Sequence, residues 1–187
     1  MSVDDTALVR RCLENQADAM RHLIERFQAD VFGLCVRMLN HRQDAEDVVQ
    51  EVFIRVFRSL RRWDQSRPLK PWIMTIAVNR CRTLMSQRVR RPELVDYLND
   101  TPGRDDRDDS IELVAEIQSA IRELRPDYRI AFVMFHEQGH SYEDIALTLE
   151  RPVGTVKTWL HRARLEVLDR LRQRGMLPVA PVKPPAS

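Results

Sequence analysis

The chain has 187 residues, 43% hydrophobic and 31% charged, with a formal net charge of +2; that length holds one large domain or two small ones. No apolar run approaches the ~20 residues of a membrane-spanning helix, and the acidic start MSVDDTALVR lacks the apolar stretch of a secretion signal. Cys12, Cys35 and Cys81 are an odd number with no C-x-x-C pair, which argues against a disulfide framework or a structural zinc site and for buried, reduced thiols in a cytoplasmic protein.

The periodic stretches read as helices, and no strand alternation or internal repeat stands out. Between His22 and Leu39, the residues Leu23, Phe27, Val31, Leu34 and Met38 recur at helical spacing. From Asp44 to Leu60 the apolar side is broader: Ala45, Val48, Val49, Val52, Phe53, Val56, Phe57 and Leu60. At about 100° per residue, Asp44, Asp47 and Glu51 gather on the face away from it. An acidic ridge of this kind repels DNA and suits a protein partner, or is simply solvated near a helix N-terminus. A third helix is expected to open at Pro71, a residue suited to the first helical position, and to run past Met85. Ile73, Ile76, Ala77 and Leu84 can pack inward there, leaving Trp72, Thr75, Asn79 and Arg82 along another face. An aromatic ring, a hydroxyl, an amide and arginines suit single-stranded nucleic acid, although Trp72 is equally readable as core.

Charge then changes sign along the chain. Arg80 to Arg91 contains five arginines and no acid, whereas Glu93 to Glu112 holds eight acids and two arginines. Arg151 to Arg174 reverses again, with seven basic residues and two acids. Two basic segments around an acidic strip suggest a polyanion held at two places. Residues 92 to 112 contain Pro102-Gly103 and lack an apolar period, so they read as a flexible acidic linker. Helices resume near Ser110, with a seam of Ile111, Val114, Ile117 and Ile121, and Pro126 opens the next.

The stretch HEQGH, residues 136 to 140, matches the H-E-x-x-H zinc signature, which needs both histidines on one unbroken helix. Gly139 signals a helix end, and Ser141 with Asp144 makes a capping box for a new one. The histidines therefore straddle a turn, and a zinc peptidase is set aside. The segment after the turn is more informative. A short helix from Tyr142 to Leu149 turns Ile145, Ala146 and Leu149 inward; Glu150-Arg151-Pro152 breaks it. A basic helix from Thr155 to Leu171 then buries Val156, Leu160, Ala163, Val167 and Leu171. Two helices joined by a tight turn, the second basic, form the helix-turn-helix pattern. Lys157, Thr158, His161 and Arg162 occupy the exposed face of its leading turns, where base edges are read, and Thr155 can hold a phosphate. Arg164, Arg170 and Arg172 are better placed for backbone charge or solvent.

This C-terminal segment, above all SYEDIA and VGTVKTWLHRAR, resembles the promoter-reading domain of bacterial RNA polymerase sigma factors of the extracytoplasmic-function (ECF) group. DAEDVVQEVFIRVFRSL and RPLKPWIMTIAVNRCRTL resemble the other domain of the same group, in the expected order, so that the likeness spans most of residues 10 to 173. The resemblance implies an all-α protein of two small helical domains: 1–91 (region 2), an acidic linker 92–112, 113–175 (region 4, the helix-turn-helix), and a disordered proline-rich tail 176–187. It implies that Asp44, Asp47, Gln50 and Glu51 dock on core RNA polymerase, and that Trp72, Thr75, Asn79, Arg80 and Arg82 engage the −10 element. Asn79 matches the asparagine of the family's I-A-x-N pattern, with Arg61 to Lys70 supplying a base-capturing loop. Thr155, Lys157, Thr158, His161 and Arg162 would read the −35 duplex. Thr83 stands where the family often has an acid and Trp159 where it often has a basic residue, departures that bear on promoter sequence. The implied protein is a non-enzymatic initiation factor with no cofactor or metal and no membrane insertion; its partners are core polymerase, promoter DNA and an anti-sigma factor. The competing reading is a stand-alone helix-turn-helix regulator, which leaves the acidic ridge and the Trp72 face unexplained.

Overall fold

A computed structural model describes residues 3–90 and 109–178. Within them lie α1 (Val3–Leu13), α2 (Ala17–Leu39), α3 (Arg42–Ser59), a 3-10 turn Leu60–Arg62 and α4 (Leu69–Arg90). The second half holds α5 (Asp109–Arg122), α6 (Pro126–Phe132), a π turn Val133–Glu137, α7 (Tyr142–Leu149) and α8 (Val153–Gln173). The helical reading holds throughout, with boundaries shifted. Helix α4 begins two residues before Pro71, so the proline sits inside the first turn, where its missing N–H is harmless. Helix α5 begins at Asp109, inside the stretch assigned to the linker. The rest of that linker, 92–108, and the tail beyond residue 178 lie outside the described residues. Helix α1 has no counterpart in the sequence reading; Leu8, Val9 and Cys12 bury its inner face.

Local signals set the helix ends. Asn40 ends α2 in the left-handed region, its N–H bonded to the Val36 carbonyl. The His41 ring nitrogen Nδ1 then caps α3 by accepting from the Asp44 N–H at 3.2 Å. Ser141 Oγ accepts from the Asp144 N–H at 3.0 Å and donates to the Asp144 carboxylate at 2.8 Å, closing the expected capping box of α7. Gly139 takes φ +68°, the left-handed turn its position called for. Glu150 takes φ 53° at the turn of the helix-turn-helix, a conformation that L residues other than glycine adopt at a penalty.

Helices α2, α3 and α4 pack together, α1 leans on α2, and α8 is cradled by α5, α6 and α7. The two halves are not held apart. Leu23, Leu34, Ile73 and Met74 of the first belong to one apolar cluster with Ile130, Met134, Ile145 and Leu160 of the second. Helix α7 packs on α4, and α6 with the π turn packs on α2. Arg129 of α6, 7% exposed, ties this seam: it donates to the carbonyl of Met38, in the last turn of α2, at 2.7 Å, and to that of Arg122, at the end of α5, at 3.0 Å. One guanidinium thus satisfies orphan carbonyls at two helix C-termini, one in each half, where a positive charge is favoured. Around it Arg37 pairs with Glu137 at 2.6 Å, and Gln138 donates to the Asp30 carbonyl at 2.7 Å.

Candidate nucleic-acid interface

On α3, Asp47 and Gln50 are exposed. Asp44 and Glu51, grouped with them in the sequence reading, have partners: Asp44 pairs with Arg88, and Glu51 holds Arg80 in a two-pronged ion pair. An expected polymerase-docking residue and an expected DNA-binding residue are therefore bonded to each other across α3 and α4. Beyond Glu51 the outer face of α3 changes sign. Arg55, Arg58 and, on the following turn, Arg62 line an open groove with Asn79, Arg80 and Thr83 of α4. Arg55 and Arg58 were missed by the sequence reading, while Arg62 falls in the expected base-capturing loop, Arg61 to Lys70. Their spacing of three and four residues, continuing the acidic stripe into a basic one, was the signal available. Half-exposed Ile54 also borders the groove.

The expected −10 residues of α4 divide between two surroundings. Asn79 is exposed in the groove, and Arg80 reaches it through Glu51. Thr75 and Arg82 instead face the second half. Thr75 Oγ1 lies 2.9 Å from the Pro71 carbonyl and 3.0 Å from the Thr148 carbonyl, sharing one proton between them; Thr148 donates back to the Pro71 carbonyl at 3.4 Å. Arg82 pairs with Asp127 of α6 at 2.7 Å. Trp72 is partly buried against the apolar core, between the two alternatives the sequence left open.

Helix α8 presents its leading turns outward. Lys157, Thr158, His161 and Arg162 are all exposed, opposite buried Val156 and Leu160, and Thr155 is half-buried. Lys157 lies over the Tyr142 ring at 5.4 Å, Thr158 donates to the Gly154 carbonyl at 2.9 Å, and Arg162 donates to the Tyr128 hydroxyl at 3.3 Å. Arg170 and Arg172, expected at backbone charge or solvent, form surface ion pairs within the second half, Arg170 with Glu123 and Glu166 and Arg172 with Asp169. The two HEQGH histidines part company at the turn. His136 is exposed; its Nε2 accepts from Arg164 at 3.0 Å, and burial, then the Arg164 charge, lowers its pKa. His140 is 5% exposed near Lys70 and Asp30 of the first half, its pKa lowered by burial and then by Lys70. Cys35 and Cys81, remote in sequence, meet with their sulfurs 3.6 Å apart in the core of the first half; both are fully buried free thiols, and their mutual contact and burial push the Cys35 pKa up.

A helical domain carrying an arginine-lined groove, packed against a helix-turn-helix whose second helix exposes Lys157, Thr158, His161 and Arg162, is an architecture of DNA-binding transcription factors. Residues 23–91 match the Sigma-70 region 2 family and residues 115–167 the Sigma-70 region 4 family. The RNA polymerase sigma-H factor of Pseudomonas aeruginosa is 31% identical over 182 residues, covering 90% of this chain and 94% of that protein. The ECF RNA polymerase sigma-E factor of Haemophilus influenzae is 32% identical, with 90% and 95% covered. Among solved structures, the sigma factor RpoE of Bartonella quintana, in complex with the anti-sigma factor NepR, shares the fold with a TM-score of 0.67 at 22% identity, over 81% of this chain and 96% of that one. CnrH, in complex with the cytosolic domain of CnrY, gives the same score and identity over 89% and 96%. The chain belongs to the ECF sigma factors, initiation factors that bind core RNA polymerase and direct it to promoters.

Proposed function

We propose a division of labour among these surfaces. Asp47 and Gln50, with Asp44 and Glu51 beside them, dock on core polymerase. The groove of Arg55, Arg58, Arg62, Asn79 and Arg80 takes the opened −10 strand, with Trp72, Thr75 and Arg82 extending it along α4. Flipping a base out of the duplex costs a few kcal/mol, which a groove of this charge and hydrogen-bonding capacity offsets. Lys157, Thr158, His161 and Arg162 read the −35 duplex in the major groove, with Thr155 at a phosphate. The protein acts in the cytoplasm and contributes no catalytic residue; the chemistry of RNA synthesis is the polymerase's. An anti-sigma factor is the expected regulator, as the two structural neighbours are each seen with a partner, NepR and CnrY.

The observation that carries this reading is the reversal of charge along α3, acidic at Asp44–Glu51 and basic at Arg55 and Arg58, continued by Arg62 on the next turn. It gives one helix a protein-facing end and a nucleic-acid-facing end, which a free-standing regulator does not need. Run-off transcription with core polymerase and a promoter library tests it. Start sites that depend on the added chain support the proposal. Duplex binding by the chain alone, with no effect on core polymerase, returns the stand-alone regulator.

A further inference from the structure

Arg162 is an exposed arginine on the reading face, and among the described residues no carboxylate pairs with it. An unrestrained arginine side chain has several rotatable bonds to immobilise before its planar fork can meet two acceptors on one base. Its partner here is a neutral one, the Tyr128 hydroxyl. Tyr128 itself is held firmly. It is 3% exposed; the Trp159 ring lies 6.3 Å away, tilted by 44°, and the Arg125 guanidinium sits 4.4 Å over its face. Trp159 precedes Arg162 by three residues, so the two are neighbours on α8. The departure at Trp159, an aromatic where the family often has a basic residue, thereby acquires a physical role as a wall for the Tyr128 ring.

We infer that Tyr128, backed by Trp159, is a positioning residue for promoter recognition: its hydroxyl fixes the Arg162 guanidinium before DNA arrives and so sharpens discrimination at the base pair that Arg162 reads. This rests on the proposal that Arg162 reads a −35 base. A neutral hydroxyl suits the task better than a carboxylate would. It restrains one nitrogen of the fork without neutralising the charge, and leaves the remaining donors for the base. The contact lies wholly within the second half of the chain, between α6 and α8, and so does not depend on how that half sits against the first.

The experiment uses holoenzyme rebuilt from core polymerase and the full chain, presented with duplex promoters whose −35 element is randomised. The variants are Tyr128→Phe, Arg162→Ala and the two combined. Tyr128→Phe keeps the ring and its packing, so the melting temperature of the purified chain should be unchanged. Discrimination should fall about three- to tenfold, the net scale of one ordinary hydrogen bond, at the same base pair that Arg162→Ala affects. In the Arg162→Ala background the phenylalanine should add nothing. If Arg162→Ala relaxes one position and Tyr128→Phe leaves the preference profile intact, the positioning role is wrong and the reading of Arg162 stands. A uniform loss across all positions, or a lowered melting temperature with no position-specific change, makes Tyr128 a fold residue and overturns the inference. An unaltered profile with Arg162→Ala removes the base-reading role and the inference with it.

Discussion

Two residues show how a side chain's surroundings decide its use. Asp47 is exposed on α3, whereas Asp44 and Glu51 are already bound to arginines of α4. Among the acids of the ridge, Asp47 is the one free to meet a new partner without breaking an internal pair. Reversing it with Asp47→Arg should abolish co-purification with core polymerase and leave the melting temperature unaltered; retained co-purification would remove it from the docking surface. His140 is the opposite case. It is 5% exposed, and its Nε2 has no hydrogen-bond partner. Burial and the Lys70 charge favour the neutral ring, against the pull of Asp30 and Asp144. Its pKa in the fold lies below the ordinary 6.5, so its contribution to stability is complete above that value and is lost as pH falls through the depressed one. Melting temperatures taken from about pH 8 down to about pH 5 should decline in the acid part of the range, where an isolated histidine would already be charged. His140→Leu, which leaves no buried polar atom behind, should flatten that part of the curve. An unchanged slope would assign the acid sensitivity to other groups.

The elements were the most legible level, because the helical period survives wherever one face is buried and another is wet. Helix α8 shows this well: Val156, Leu160, Ala163, Val167 and Leu171 are all buried, as their spacing requires. The turn before α7 was equally readable from Gly139 and Ser141, since few residues accept a positive φ and few side chains cap an N-terminus. Ser141→Ala should destabilise the second half by about 1 kcal/mol, and Glu150→Gly, which relieves the left-handed strain at the next turn, should stabilise it by about the same. Chemical denaturation checks both; equal midpoints for the two variants would mean that neither turn limits stability. Helix α4 was harder. It is covered by α2 and α3 on one side and by α7 on another, so its polar residues do not all look outward. That Thr75 and Arg82 also bond to the second half was not legible, because a hydroxyl and a guanidinium at a helical seam are indistinguishable, in sequence, from the same groups on a binding face. Arg55 and Arg58 escaped notice for the reverse reason. Their groove forms only when the end of α3 is laid beside α4, a contact between residues about twenty positions apart.

At the scale of the whole molecule the two halves are joined by groups that also belong to the proposed −10 surface. The Thr148 carbonyl and Asp127 occupy Thr75 and Arg82, while Arg129, Glu137 and Gln138 hold the seam from outside that surface. None of this could be read in the sequence, whose flexible acidic linker left open how the two domains sit against each other. The seam combines apolar packing with a buried cation whose oxygen partners are backbone carbonyls, and a charge in that setting keeps much of its desolvation penalty. Exposed pairs such as Arg37–Glu137 add little, on the order of 0–1 kcal/mol. Under the proposed function, Thr75 and Arg82 meet DNA only when this seam parts. Replacing Glu137 and Gln138 together by alanine touches neither the groove nor the reading face. It should raise the radius of gyration of the full chain in solution and increase its affinity for single-stranded −10 DNA several-fold, since a binding-competent state that is only fractionally populated weakens apparent affinity by that fraction. The fork of Arg82 makes the mechanism separable. In an Arg82→Ala background the same double substitution should still expand the molecule, but with a smaller gain in DNA affinity. Expansion with no gain in either background would show that the seam does not guard the −10 surface.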